Sequence, residues 1–209
     1  MDRRDFLKTV AITGAALTIQ HSEAMEVLTQ TINKANGANR DLVAVMGGEP
    51  EAMFRRAISE LGGMKQFVKP GQKVVVKPNI GWDKVPELAG NTNPKLVAEI
   101  VKQCFAAGAK EVTVFDHTCD DWQKCYKNSG IEAVAKAAGA KVMPAHLESY
   151  YKPVDLPSGK KMKKAKVHEA ILNCDVWINV PILKNHGGAN LTISMKNHMG
   201  IVWDRGFFH

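Results

Sequence analysis

The sequence predicts an α/β fold: three layers, a mostly parallel sheet with helices on both faces, and a small β-hairpin added to it. Two observations carry this. Short apolar runs alternate along the chain with stretches of helical period, and several of those runs are continuously apolar, as strands buried on both faces must be. A third observation places a site. Polar clusters follow three of the runs directly, and in open parallel sheets ligands bind beyond the carboxyl ends of strands.

Taken in order, Leu42–Met46 reads as a strand closed by Gly47-Gly48. Residues 49–61 place Met53, Ala57, Ile58 and Leu61 on one helical face, ending at Gly62-Gly63. The turn Lys69-Pro70-Gly71 introduces a strand at Lys73-Val74-Val75-Val76. Pro94 opens a helix, since its missing N–H is no loss in a first turn. Leu96, Val97, Ile100, Val101 and Cys104 recur there at helical spacing. A strand is expected over 111–115, a helix over 131–138, and strands over 141–143 and 176–180. Between the last two, Tyr150-Tyr151, Val154 and Leu156 followed by Lys164–Val167 suggest a hairpin or edge addition.

At 209 residues the chain suits one domain with a real core. Its net charge of +7 raises nucleic acid as a partner. Much of that excess, however, is Lys160, Lys161, Lys163, Lys164 and Lys166 beside the turn Ser158-Gly159. With no aromatic interleaving, the run reads as a solvated hairpin tip, and no nucleic-acid partner is expected. The four cysteines, Cys104, Cys119, Cys125 and Cys174, contain no C-x-x-C pair. That excludes the usual spacing for structural zinc or a ferredoxin-type cluster. Cys104 falls on the apolar helical pattern; Cys119 and Cys125 could pair in an oxidising compartment or serve as thiols.

Residues 1–24 read as a twin-arginine signal peptide. Arg3-Arg4-Asp5-Phe6-Leu7-Lys8 precedes a moderately apolar stretch, Thr9–Ile19, and then a small-x-small site at Ser22-Glu23-Ala24. The apolar stretch is shorter than the ~20 residues a membrane-spanning helix needs. The expectation is therefore an exported, periplasmic protein with the twin-arginine machinery as a partner and no stable membrane span after cleavage. Residues 25–40 form a polar leader, and 41–209 the α/β domain.

The clusters at the strand ends supply the candidate site. Lys77 and Asn79 follow the 73–76 strand, Asp116 and His117 the 111–115 strand, and Lys184, Asn185 and His186 the 176–180 strand. Each alone could be a hydrogen-bonded turn; together they read as one site for a small anionic ligand, phosphate or carboxylate. Lys77, Asn79, Lys196, Asn197 and Arg205 are expected to bind it, with Lys184, His186 and Asp116 carrying any catalysis. Thr192 and Lys196 are expected to share one helix face. Should a metal be bound instead, His186, His198 and His209 are its candidate ligands. Neither loop matches a Walker or G-x-G-x-x-G fingerprint, so no nucleotide is specified, and the cofactor stays open.

Lys77-Pro78-Asn79-Ile80-Gly81, Thr92-Asn93-Pro94, Ile178-Asn179-Val180-Pro181, Lys184-x-His186 and Lys196-Asn197-x-x-Gly200, with Arg205 and His209, resemble the domain of unknown function 362 family over about residues 42–209. The resemblance implies an α/β domain and a bacterial or archaeal source, and no particular reaction. Some relatives carry cysteine-rich iron–sulfur segments. This chain has none, so no iron–sulfur cluster is expected from it. Members usually run well past the position of His209, which implies a C-terminally truncated domain. Three roles follow: an exported enzyme acting on a small anion, a non-catalytic periplasmic binding or accessory protein, or a metal-dependent redox or isomerase protein.

Overall fold

The computed structural model describes residues 40–206. Residues 1–39, with the signal and most of the leader, and His209 lie outside them. Helix α1 (Pro50–Glu60) begins on a proline, and Ile58 is its buried residue. Strand β1 (Lys73–Pro78) is buried from Val74 onward. Helix α2 (Pro94–Ala106) starts where Asn93 accepts a hydrogen bond from the Lys95 N–H, an N-cap that satisfies an otherwise orphaned donor. Then come β2 (Glu111–Val114), α3 (Trp122–Asn128, capped by Asp121), α4 (Ile131–Ala137) and β3 (Lys141–Val142). The hairpin β4 (Tyr151–Asp155) and β5 (Lys164–His168) leads into a one-turn helix, α5 (Glu169–Leu172). Strand β6 (Val176–Val180), the short hairpin β7 (Lys184–His186) and β8 (Asn190–Thr192), and α6 (Ser194–Asn197) follow. A 3-10 turn, His198–Ile201, closes the described chain.

The main sheet is wholly parallel, in the order β3-β2-β1-β6. From β1 the chain moves outward through α2 to β2 and on to β3, then returns to lay β6 on the other side of β1. The order therefore reverses between β1 and β6, and a crevice must open beyond their carboxyl ends because the two connections depart in opposite directions. Alternate residues of the strands face opposite layers. Val74, Val76, Val112 and Val114 pack against Ile58, Val97, Ile100, Val101, Tyr126 and Ile131 of the helices. Val75, Phe115 and Trp177 point the other way, toward Tyr151, Ala170, Ile201 and Val202. That second layer is made of the hairpin, α5 and the last turn. The three-layer parallel architecture is as expected; the small antiparallel additions number two rather than one. Among the described residues no helix is long and apolar enough to cross a membrane.

Three local expectations are corrected. Residues 42–46 find no ladder partner and form no strand; Met46 is 93% exposed. Its continuous apolar run is a sound pattern for a buried strand, but a strand exists only where a neighbour takes up its N–H and C=O groups. The segments α3 and β7–β8 were not foreseen: the strands of β7–β8 are three residues each, too short for periodicity to reveal, and α3 buries only Cys125 and Tyr126, too few apolar positions to mark a helical face. Thr192 ends β8 while the helix begins at Ser194, so Thr192 and Lys196 do not share a helix face.

His168 shows how closely the second layer is fitted. Its fully buried ring stacks on Phe115 at 4.1 Å between centroids, its Nδ1 accepts the Ala170 N–H (3.1 Å), and its Nε2 lies 3.1 Å from the Pro144 carbonyl. Both bonds are satisfied by the neutral ring with its proton on Nε2, whereas the cation would present a proton on Nδ1 to the Ala170 N–H. Burial pushes its pKa below the ordinary histidine range, partly offset by the Pro144 carbonyl and Glu169. The unfolded chain then binds the proton more readily than the native one. Stability is expected to be complete above about pH 6.5 and to fall as the pH drops below it, by at most about 1.4 kcal/mol per pH unit for each proton taken up. Urea titrations between pH 5 and 7.5 should show this slope, and His168→Asn should flatten it. His117 and His198, which burial lowers likewise, are expected to account for slope remaining.

Candidate functional site

The crevice at the switch point is a cavity of about 280 Å³. Lys77, Asn79, Asp116, Lys184, His186, Lys196, Asn197 and Arg205 all line it, so the fold gathers every catalytic and ligand-binding candidate in one place. Their side chains nevertheless do different work.

Lys77 and Asp116 form a fully enclosed ion pair. Lys77 is 0% and Asp116 2% exposed, with Nζ 2.6 Å from Oδ1. The ammonium has three protons and three acceptors: this carboxylate, the Pro78 carbonyl at 2.9 Å and Asn197 Oδ1 at 2.9 Å. Desolvation pulls the pKa of Lys77 down, and Asp116 is the main force restoring it. The other carboxylate oxygen of Asp116 accepts the Ile80 N–H at 2.6 Å. Its backbone is held by Tyr126, whose hydroxyl accepts the Asp116 N–H (2.8 Å).

Asn197 spends its whole amide inside the protein. Its Oδ1 accepts from Lys77 and from Asn79 Nδ2 (3.2 Å), and its Nδ2 donates to the Lys77 carbonyl (3.2 Å) and to Asn179 Oδ1 (2.8 Å). The expectation that Lys77 and Asn197 touch a ligand is thus met by groups with no bonding capacity left. They hold β1, β6 and α6 in register around the cavity. Thr92 does the same from the far side of β1: its hydroxyl accepts the Asn79 N–H (2.8 Å) and donates to the Val180 carbonyl (2.7 Å).

Lys184 is the cation turned to the cavity. Its Nζ donates to Asn79 Oδ1 (3.0 Å) and to the Gly90 carbonyl (2.5 Å), and sits 5.6 Å from the centre of the Trp82 ring. One of its three protons remains by count. Desolvation lowers its pKa, with Cys119 and Asp116 opposing and Lys77 assisting. Arg205 reaches back from the last described turn to the carbonyls of His117 (3.1 Å) and Thr118 (3.0 Å), leaving the rest of its fork for other acceptors. Lys196 Nζ lies 3.0 Å from Met199 Sδ.

The histidines separate. His186 Nδ1 accepts the N–H groups of Gly188 (3.1 Å) and Ala189 (3.0 Å), which closes the β7–β8 turn. With Nδ1 so used the neutral ring carries its proton on Nε2, a donor rather than a base. His198 packs on Trp177, 4.7 Å between centroids, and burial lowers its pKa. Among the described residues no group of three or more His, Cys, Asp or Glu is placed to share a metal ion.

Three lining residues escaped the sequence reading. Trp82 follows Gly81 with no pattern to mark it. Ile193 and Met199 look like ordinary core residues until the fold places them at the cavity. Gly200 stood within the quoted motif, but its packing against the Lys77–Asp116 pair has no sequence signal.

Comparison with known proteins adds two matches. Residues 74–209 match the model of a family described as domain of unknown function (DUF362). The chain is also similar to a thylakoid-associated protein of Synechocystis sp., 27% identical over 151 residues, which is 72% of this chain and 46% of that protein. The chain thus spans about half the length of the curated relative it matches. No solved structure matches it significantly.

Proposed function

The chain belongs to the family of the domain of unknown function (DUF362), and from that premise we propose that its switch-point cavity binds a small anion, phosphate or carboxylate. A single observation carries the reading. Lys184 and Arg205 line the same cavity with donor capacity left over, one proton on Lys184 and part of the Arg205 fork, while Asp116, the one carboxylate among its described lining residues, is already neutralised by Lys77. Half-buried cations carry a desolvation cost that a bound anion offsets. Lys184 is the principal contact, and its lowered pKa makes it the group best placed to exchange a proton with the ligand.

Phosphate or acetate is expected to raise the melting temperature in a saturable way. Lys184→Ala should weaken that binding about 10- to 100-fold, the equivalent of a charge-assisted bond worth about 1.5–3 kcal/mol. Stabilisation that is unchanged in Lys184→Ala would mean the anion sits elsewhere.

Export through the twin-arginine pathway to the periplasm belongs to the same proposal and is supported by Arg3-Arg4 ahead of the apolar stretch. Replacing both arginines by lysine should hold the precursor in the cytoplasm in a fractionation assay. Undiminished export of that variant would remove the assignment.

A further inference from the structure

The cations account for only part of the lining. Trp82, Pro181, Ile182, Ile193 and Met199 form much of the remainder. Two of these keep apolar surface open to solvent at the cavity: Trp82 is 40% and Ile193 45% exposed. Ile193 is held there by its place in the chain, between the end of β8 and the start of α6, which it precedes as N-cap. A phosphate or other compact anion resting on Lys184 would leave these surfaces wet. A ligand with an apolar body would cover them, and burying apolar surface is the general driving force for such sites.

From this juxtaposition we infer that the cavity takes an organic monocarboxylic acid with an apolar tail, its carboxylate on Lys184 and Arg205 and its tail against Ile182, Ile193 and Met199. Size agrees. At about 280 Å³ the cavity lies just under the usual range of about 300–1,000 Å³ for small-molecule sites, so it suits a short acid and is too small for a dinucleotide. The Trp82 ring, with the Lys184 ammonium over it, forms the junction where the charged and apolar halves meet. This ligand class rests on the anion-binding role proposed above and narrows it.

Isothermal titration of the full 209-residue chain with acetate, butyrate, hexanoate, inorganic phosphate and uncharged hexanamide tests it. Affinity should rise about fourfold per added methylene until the cavity is full, making hexanoate at least about tenfold tighter than acetate. Ile193→Asn should weaken hexanoate far more than acetate, bringing the two affinities close together; its partial exposure makes the variant easy to accommodate. Hexanamide should bind at least about tenfold more weakly than hexanoate. Acetate and phosphate binding as tightly as hexanoate, and still weakened by Lys184→Ala, would overturn the organic-acid class and leave the anion site standing. Hexanamide binding as well as hexanoate, with acetate and phosphate silent, would overturn both.

Discussion

Lys77→Met is expected to destabilise the protein by about 3–5 kcal/mol, the usual consequence of removing one partner from a buried ion pair. The reason lies in what remains. Asp116, 2% exposed, would lose the cation that offsets the cost of its burial. The Pro78 carbonyl and Asn197 Oδ1 would each lose a donor at 2.9 Å. Adding Asp116→Asn should recover a large part of the loss, because the neutral amide oxygen can still accept the Ile80 N–H while no charge is stranded. Urea denaturation of the two single variants and the double variant measures the coupling. A loss under about 1 kcal/mol for Lys77→Met would show that the ammonium is not enclosed as described.

Gly200→Ala should be nearly as damaging, although it adds one methyl group. A Cβ at this position would overlap Asp116 Oδ1 and lie 2.6 Å from Lys77 Nζ and 2.8 Å from Lys77 Cε. The ends of a flexible side chain could yield to such a contact; an ion pair pinned by Ile80, Pro78 and Asn197 cannot easily do so. The cost should fall between that of overpacking, about 1–3 kcal/mol, and that of losing the buried pair, about 3–5 kcal/mol. The two sites should also be strongly non-additive. In a Lys77→Met, Asp116→Asn background, with the pair already gone, alanine at 200 should cost markedly less. Equal costs in both backgrounds would mean that the clash is with backbone rather than with the pair. The glycine of the Lys196-Asn197-x-x-Gly200 segment therefore serves the ion pair, and its φ requires no special freedom.

Much of this was legible beforehand. The Val74-Val75-Val76 run is buried as a central parallel strand should be, and the helix from Pro94 runs to Ala106 with its cap on Asn93. The three polar clusters do converge. Segment 42–46 shows the limit of the same reasoning, since its pattern is as good as that of β6 yet only β6 acquires a neighbour. His186 shows another. Its residue type suggests a base, and the two N–H groups that occupy its Nδ1 come from a turn two and three residues on.

By itself, then, the sequence determined what is local or periodic: which runs are able to form strands, where α2 begins, and that cations gather beyond the strand ends. Only the tertiary structure decided what each cation does. Lys77 and Lys184 are the same residue type in the same setting, a lysine at or just past the end of a parallel strand. One is sealed by Asp116 and by Asn197, 120 positions away, and the other is left facing the cavity over Trp82. The difference is physical: a charge becomes structural or available according to which acceptors the completed fold brings within hydrogen-bonding distance, and such partners leave no trace in sequence spacing.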